Sequence, residues 1–279
     1  MISGFFFVLT IIKLCRNIFY MEEMIVNKSN RLELIDSIRG ITIISMILYH
    51  ACWIACYFGV LITENMMNSF EFYVWERTIC MSFIFISGFV FSFSKKPIKN
   101  GLIVLGLGIA ITIGSLIFVY DIRDIFGVLW LLGLAPLIMY LPDKFFKDYL
   151  KEKRGINYLL FIIFTVLFSL TYSLSWGFVG FGAFKLKLPV ELYRGIFMTF
   201  LGFLEPGFYS VDYFPVFPWI FLYIMGYFAY KIINGTKFCT NILTIGIPGL
   251  KTIGKHSLII YLVHPVVIFI IMLIISNVW

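Results

Sequence analysis

The sequence predicts an all-α integral membrane protein, a helical bundle with about seven transmembrane spans and an extracytoplasmic cap segment. Of its 279 residues, 61% are hydrophobic and 19% aromatic, and the mean hydropathy is +0.97. Apolar runs long enough to cross a bilayer recur along the chain between short charged segments. These runs do not alternate apolar and polar residues, as the strands of a membrane β-barrel would. The composition therefore excludes a soluble globular protein.

The apolar runs define the spans in order, with an error of a few residues at each end. They cover 39–60, 72–94, 101–119, 125–141, 156–175, 215–233 and 256–276. Residues 1–30 form a separate segment, because the apolar stretch from Gly4 to Ile12 is too short to span and its basic residues follow it, unlike those of a signal peptide. We interpret this segment as an interfacial helix or as sequence upstream of an alternative start; an extra span is the other interpretation. Residues 31–279 form the membrane domain.

The basic residues predict the orientation of the spans. Most of the 22 Lys and Arg residues lie in one set of alternating loops. The positive-inside rule then makes the N-terminal side of the first main span cytoplasmic and the C-terminus external in a multi-pass protein of the cell membrane. The net charge of +7 thus reports orientation and does not indicate nucleic-acid binding. The chain leaves the membrane on the outer side before residues 176–214 and re-enters it from the same side after them. This stretch therefore suits a cap or a re-entrant segment.

No metal site is predicted. The five cysteines lie in or beside apolar runs without paired spacing, and the three histidines are too few and too dispersed for a metal cluster.

The first span carries an acid, an arginine and a histidine, which an apolar helix does not need. Arg39 and His50 point the same way within about 20°, and Asp36 lies about 40° off that line. The rise per residue separates Arg39 from His50 by about 16 Å, with His50 near mid-depth. Because an ionisable group at that depth needs a partner or a wet cavity, we predict half of an active site. The simpler interpretation is a surface pair of Asp36 and Arg39 with a packing histidine.

The last span contains a second deep histidine. His264 lies about eight residues into the span and shares a face with Tyr261. Pro265 has no backbone N–H, so the Tyr261 carbonyl lacks its usual helical donor. If the first and last helices are neighbours, His264 and His50 reach one cavity. A proline kink with a packing histidine is the alternative.

The predicted outer edge supplies candidate substrate-binding residues. Pro218 suits a first helical turn and Trp219 an interfacial belt, but Asp212 has no such explanation and is predicted to bind a hydroxyl or an amine. Arg123 lies among acidic neighbours, and its local charge balance also favours a salt-bridged helix end, as at Glu76 and Arg77.

Four stretches carry a resemblance to a known family. They are Arg31 to Gly40 followed by His50, Phe126 to Gly133, Asp212 to Trp219 continuing to Gly226, and Gly254 to Pro265. Together, from about 31 to 275, they resemble small bacterial relatives of heparan-α-glucosaminide N-acetyltransferase. The spacing of Arg39 and His50 also resembles the signature of the wider membrane acyltransferase-3 superfamily.

The resemblance implies acyl transfer across a bilayer, from cytoplasmic acyl-CoA, most simply acetyl-CoA, to a sugar or other envelope acceptor outside. It implies catalytic roles for His50, Asp36, Arg39 and His264, and substrate contacts for Asp212, Trp219, Tyr261 and Arg123. The lysosomal enzyme of this family has its proposed catalytic histidine in the loop after the first span. This chain has no histidine in that loop, so the catalytic role is assigned to His50, as in the wider superfamily. Arg39 and the basic loops would hold the CoA phosphates, and His50 would act as a general base or carry the acyl group.

Two other functions fit parts of the pattern. A proton-coupled transporter would use the midplane histidines as a relay and would yield flux without a covalent product. A non-catalytic membrane partner would use the polar groups only to hold helices together, and would neither bind CoA nor hydrolyse acetyl-CoA.

Overall fold

The computed structural model describes residues 32–118 and 120–278, so the predicted N-terminal segment 1–30 lies outside it. The helices are α1 (Glu33–Tyr57), α2 (Glu64–Met67), α3 (Phe70–Val90), α4 (Pro97–Phe118), α5 (Val128–Lys151), α6 (Arg154–Thr171), α7 (Ile196–Leu201), α8 (Val216–Ile233), α9 (Lys237–Asn241), α10 (Leu250–Lys255) and α11 (Ser257–Val278). Two strands, β1 (Phe178–Phe181) and β2 (Phe184–Lys187), form one hairpin. Within the described ranges, seven helices are long and apolar enough to cross a membrane: α1, α3, α4, α5, α6, α8 and α11. This confirms the predicted class and the number of spans.

The helix ends differ from the hydropathy limits where polar residues continue a helix. Helix α1 begins at Glu33 instead of residue 39, so Asp36 and Arg39 lie inside it. Helix α5 runs to Lys151, well past the predicted end at 141. Hydropathy detects the apolar part of a helix and does not report its charged turns.

The chain divides into two compact units. Of the described residues, the first unit contains those up to 83 and those from 235 onward, the second contains those between 84 and 234, and the boundary falls inside α3. In the first unit, α1 packs against both α10 and α11. A Cβ added to Gly40 would overlap the carbonyl oxygen of Leu250, and one added to Gly254 would overlap that of Asp36. These two glycines therefore allow α1 and α10 to approach backbone to backbone.

The core of the first unit lies one helical turn from His50. Ile43, Met46 and Ile79 are buried together, and Trp75 and Ile260 pack against them. The Trp75 indole Nε1 donates to the hydroxyl of Ser45 at 2.7 Å, which ties α3 to α1. The position of α1 is thus set on both sides, by α10 through glycines and by α3 through an aromatic contact.

The second unit pairs α4 with α5 and α6 with α8. Close approach of these helices again depends on glycine. A Cβ on Gly133 would overlap the backbone of Leu105, and one on Gly108 would lie 3.0 Å from the backbone nitrogen of Trp130. Trp130 also donates its indole Nε1 to Thr112 at 2.9 Å. Gly108 and Gly133 therefore serve close helix packing.

Residues 172–215 connect α6 to α8 without a further spanning helix. The connection holds itself together through side-chain bonds to its own backbone: Tyr193 donates to the Leu174 carbonyl at 2.7 Å, and Tyr213 to that of Thr199 at 2.6 Å. The β-hairpin inside it is absent from the sequence prediction. Its turn, Gly182 followed by Ala183 with Gly182 at φ 58°, is a two-residue hairpin loop that begins with glycine, and this was the available signal.

Candidate active site

Two histidines from opposite ends of the first unit's sequence meet in the structure. Nε2 of His264 lies 3.1 Å from Nδ1 of His50, and the ring centroids are 4.8 Å apart. His50 belongs to α1 and His264 to α11, so the contact joins the first and last spans. Only 6% of the His264 surface is exposed, whereas His50 is half-buried. The first and last helices are therefore neighbours, as the prediction of a shared cavity required.

Each imidazole is also bonded to the carbonyl one turn earlier in its own helix. His264 Nδ1 donates to the Ile260 carbonyl oxygen at 3.0 Å, and His50 Nδ1 lies 3.0 Å from that of Met46. These backbone acceptors help to orient both rings, together with the contact between the two imidazoles.

The carbonyls assign the protons of the neutral pair. A carbonyl oxygen only accepts, so Nδ1 of His264 carries that ring's N–H and its Nε2 has a lone pair. This lone pair faces Nδ1 of His50, which therefore carries the proton and shares it between His264 and Met46. No hydrogen bond among the described residues involves Nε2 of His50, and in this tautomer that nitrogen holds a lone pair. The arrangement is thus a base whose Nε2 makes no hydrogen bond to a described residue and whose Nδ1 is held.

Aromatic rings surround this pair within the first unit. Tyr261 lies edge-on to His264 with centroids 5.9 Å apart, and Tyr49 lies edge-on to His50 at 6.0 Å. Trp75 in turn contacts Tyr49 at 5.6 Å. Sequence reasoning identified Tyr261 but missed Tyr49 and Trp75, because a tyrosine and a tryptophan in an apolar helix look like ordinary packing residues.

Arg39 lies about three turns and Asp36 about four turns from His50 along α1. Asp36 is buried, with 7% of its surface exposed, beside the glycine contact with α10. Arg39 is half-buried. The two residues are therefore placed for a role at the end of α1 and not at the imidazole pair itself.

The second unit has a pair of carboxyl groups that the sequence did not suggest. Asp212 accepts a hydrogen bond from the Val128 backbone N–H at 3.1 Å and so caps the start of α5. Asp124 lies beside it, against Gly127, and its Oδ1 is buried without a hydrogen-bond partner among the described residues. Burial and the charge of Asp212 raise the pKa of Asp124 to about 8. The pair thus holds a proton near neutral pH.

Backbone bonds between the two loops bring these carboxyls together. Val211 N–H donates to the Arg123 carbonyl at 3.1 Å, and Phe214 N–H donates to that of Phe126 at 2.8 Å. The Ile125 N–H donates to the Ser210 hydroxyl at 2.9 Å. We call residues 123–128 with 210–214 the loop clasp.

The other predicted substrate-binding residues of the second unit have local partners. The Arg123 guanidinium lies over the rings of Tyr120 and Tyr209, 4.6 and 5.2 Å from their centroids. It makes no ion pair with a described residue, so the interpretation as a salt-bridged helix end is wrong for Arg123. For Glu76 and Arg77 it is confirmed, at 3.8 Å.

Trp219 is nearly covered by protein, with 4% of its surface exposed. It packs among aromatic rings, with Phe214 at 4.9 Å and Phe168 at 5.9 Å between centroids. Its predicted contact with substrate stays a prediction.

One family model matches this chain over most of its length. The family model described as heparan-alpha-glucosaminide N-acetyltransferase, catalytic, matches residues 31–266. The chain belongs to this family. The match extends over both units and confirms the resemblance stated from the four stretches. Comparisons with curated proteins and with solved structures each gave no match.

As a member of the heparan-α-glucosaminide N-acetyltransferase family, the chain is a multi-pass membrane protein of an acetyltransferase type. Several residues of the four stretches have a physical role here. Gly40 and Gly254 join α1 to α10, Gly127 makes room for Asp124, and Gly133 lets α4 approach α5. His50 and His264 are the two histidines of these stretches that lie in contact, and a histidine can exchange a proton near neutral pH.

Proposed function

We propose that this protein transfers an acetyl group from cytoplasmic acetyl-CoA to a hydroxyl or an amine of a carbohydrate or other envelope component outside the membrane. Family membership supports acetyl transfer, and such acetyltransferases use acetyl-CoA as donor. The single observation that carries the assignment of the active centre is the contact of His50 with His264, 3.1 Å between nitrogens of two spanning helices.

In the proposed reaction, Nε2 of His50 removes the proton from the acceptor as its oxygen or nitrogen attacks the thioester carbonyl carbon. The bond between that carbon and sulfur then breaks, and the CoA thiolate takes the proton back from the His50 imidazolium. Atoms and protons balance over the cycle, and the base returns to its starting tautomer.

His264 supports this chemistry as a positioning residue. Both of its nitrogens are engaged, one with Ile260 and the other with His50, so it is not available to polarise the thioester carbonyl directly. When Nε2 of His50 takes up a proton, the His50 Nδ1–H still donates to His264, and this bond to a charged donor strengthens. A role in which His264 itself positions the thioester is less compatible with this geometry.

Arg39 is proposed to bind a phosphate of the donor at the cytoplasmic end of α1. A guanidinium presents two parallel donors to a phosphate, and α1 would carry the thioester arm from this end toward mid-depth. The distance of about 16 Å along the helix is within the reach of a long thin pantetheine arm. Asp36 is proposed to act at the same end of α1, where its backbone carbonyl meets Gly254 of α10.

The proposed orientation has a direct test by cysteine labelling on a cysteine-free background. Residues 95–100, 143–154 and 235–252 should react only from the cytoplasm, and residues 62–70 and 178–212 only from outside. Labelling of 143–154 from outside would reverse the assignment of donor and acceptor sides.

The function itself is tested by mass spectrometry of envelope glycans from wild-type cells, deletion cells and deletion cells that express His50→Ala. We expect an acetylated species that deletion removes, that the wild-type gene restores and that the variant does not restore. Purified protein should also consume labelled acetyl-CoA when the deacetylated glycan is supplied. An unchanged glycan profile together with no consumption of acetyl-CoA would overturn the proposal.

A further inference from the structure

A cavity of about 560 Å³ in the second unit has a strongly basic lining. It is formed where the segment after α3 enters α4, with α5 contributing the Tyr140 side chain. Lys95, Lys96 and Lys99 line it. Three ammonium groups around one small cavity favour a ligand with concentrated negative charge.

No described residue neutralises these lysines. All three are exposed, and none forms an ion pair with an acidic side chain in residues 32–118 or 120–278. Elsewhere in the described chain, Lys231 and Lys251 do lie beside carboxylates, at 3.9 and 2.8 Å. The cavity therefore keeps a net positive charge that the protein does not itself balance.

The start of α4 adds to this charge. The helix begins at Pro97 and is 22 residues long, so its N-terminal dipole end lies among the three lysines. A helix N-terminus favours an anion, and the effect is largest within the first turn. Lysine side chains and the helix end thus act on the same ligand atoms.

An apolar face leads away from the cavity along the same helix. Ile98 and Leu102 line the cavity and are 40% and 55% exposed. Beyond them, Ile109 and Ile113 continue the stripe at helical spacing, 37% and 52% exposed. In a spanning helix such a face contacts acyl chains. A ligand that carries both an anionic head and a long apolar tail would cover the lysines and this stripe together.

We propose that this cavity binds the phosphate of an anionic phospholipid, whose acyl chain lies along the apolar stripe of α4. Basic pockets between transmembrane helices on the cytoplasmic side bind such headgroups. The chemistry recognised by the lysines is a phosphate, and a soluble phosphate could supply the same group. The stripe favours the lipid, because only a lipid also covers Ile109 and Ile113.

The binding test uses delipidated full-length protein in neutral nanodiscs, titrated with phosphatidylglycerol or phosphatidylcholine and examined by native mass spectrometry. The cavity variant is Lys95→Gln, Lys96→Gln and Lys99→Gln together. The control variant is Lys144→Gln, Lys147→Gln and Lys153→Gln, which removes the same charge from exposed positions around the end of α5. We expect phosphatidylglycerol to bind wild type and control alike, and the cavity variant at least about tenfold more weakly, since each lysine near the surface contributes about fivefold.

Two further measurements distinguish a lipid phosphate from a soluble phosphate and provide a second variant in case the triple variant misfolds. Adenosine 3′,5′-bisphosphate should neither displace the lipid nor distinguish wild type from the cavity variant. Lys99→Gln alone should weaken lipid binding by about fivefold, and it serves if the triple variant unfolds. Equal weakening in the control variant, equal binding of phosphatidylcholine, or displacement by the bisphosphate would overturn the proposal.

Discussion

Each unit of the molecule brings together two ionisable side chains of the same kind, and the two pairs behave in opposite ways. In the first unit, His50 and His264 form a donor and an acceptor, so both rings remain neutral and satisfied at 3.1 Å. In the second unit, Asp124 and Asp212 offer only acceptors when ionised, so one carboxyl must keep a proton. Like groups are thus stable together when one can donate a hydrogen bond to the other, as in the histidine pair, or when one keeps a proton, as in the carboxyl pair.

The comparison separates a reactive pair from a structural one. The histidine pair leaves the lone pair of His50 Nε2 outside the contact, and this nitrogen is the base in the reaction that we propose. The carboxyl pair caps α5 and lies within the loop clasp, with Asp124 Oδ1 buried. We therefore expect substitutions in the first pair to change turnover and those in the second to change stability.

The largest expected effect is that of His50→Ala. Loss of a general base lowers turnover by about 10²–10⁴-fold, whereas the half-buried ring contributes less to folding. The measurement is acetyl transfer by purified protein, with thermal unfolding recorded in parallel. Cys52→Ala, a change of similar position on α1, should keep wild-type turnover. A His50→Ala protein with a tenth of wild-type activity would exclude His50 as the base.

The next largest effect tests whether His264 orients His50. His264→Leu removes the acceptor for the His50 Nδ1–H, and kcat should fall by about 10–100-fold with little change in KM for acetyl-CoA, because the base is misoriented and donor binding is intact. His264→Gln retains a carbonyl acceptor and should restore much of kcat. If Leu and Gln are equally active, the contact does not orient His50. If both are as inactive as His50→Ala, His264 itself moves the proton.

A smaller effect concerns the packing that brings the histidines together. Gly40→Ala places a Cβ against the Leu250 carbonyl, so α1 and α10 must separate and stability should fall by about 1–3 kcal/mol. Gly106→Ala is the matched control, since nothing lies within 4 Å of a Cβ there. The measurement is thermal unfolding in detergent. Equal melting temperatures for the two variants would contradict the close approach of α1 and α10.

The last effect depends on pH and belongs to the carboxyl pair. The folded protein holds the Asp124 proton up to a pKa of about 8, whereas the unfolded chain releases it near 3.8. Stability should therefore fall as pH rises between these values, by up to about 1.4 kcal/mol per pH unit. Asp124→Asn imitates the protonated form and should flatten this dependence, whereas Asp121→Asn in the same loop should not. Parallel pH curves for wild type and Asp124→Asn would show that the pair holds no proton.

The sequence by itself was sufficient for the class and for the spans. Apolar composition and run length depend on the bilayer, whose thickness is known in advance, so hydropathy found the seven spanning helices of the described ranges. It also found the candidate residues His50 and His264, because an ionisable group deep in an apolar helix is conspicuous without any knowledge of neighbours. Helix ends were less accurate, as at α1, since charged turns add no apolar signal.

Only the tertiary structure decided which of these groups meet. His50 lies near one end of the chain and His264 near the other, and their contact follows from the packing of α1 against α10 and α11, which depends on glycines that sequence periodicity cannot pair. The tautomers follow from the carbonyls of Met46 and Ile260 only once the rings are in contact. Asp124 and Asp212 are likewise joined by loop-to-loop backbone bonds, which carry no side-chain signal. Pairing across the chain is a property of packing, and packing is not local in sequence.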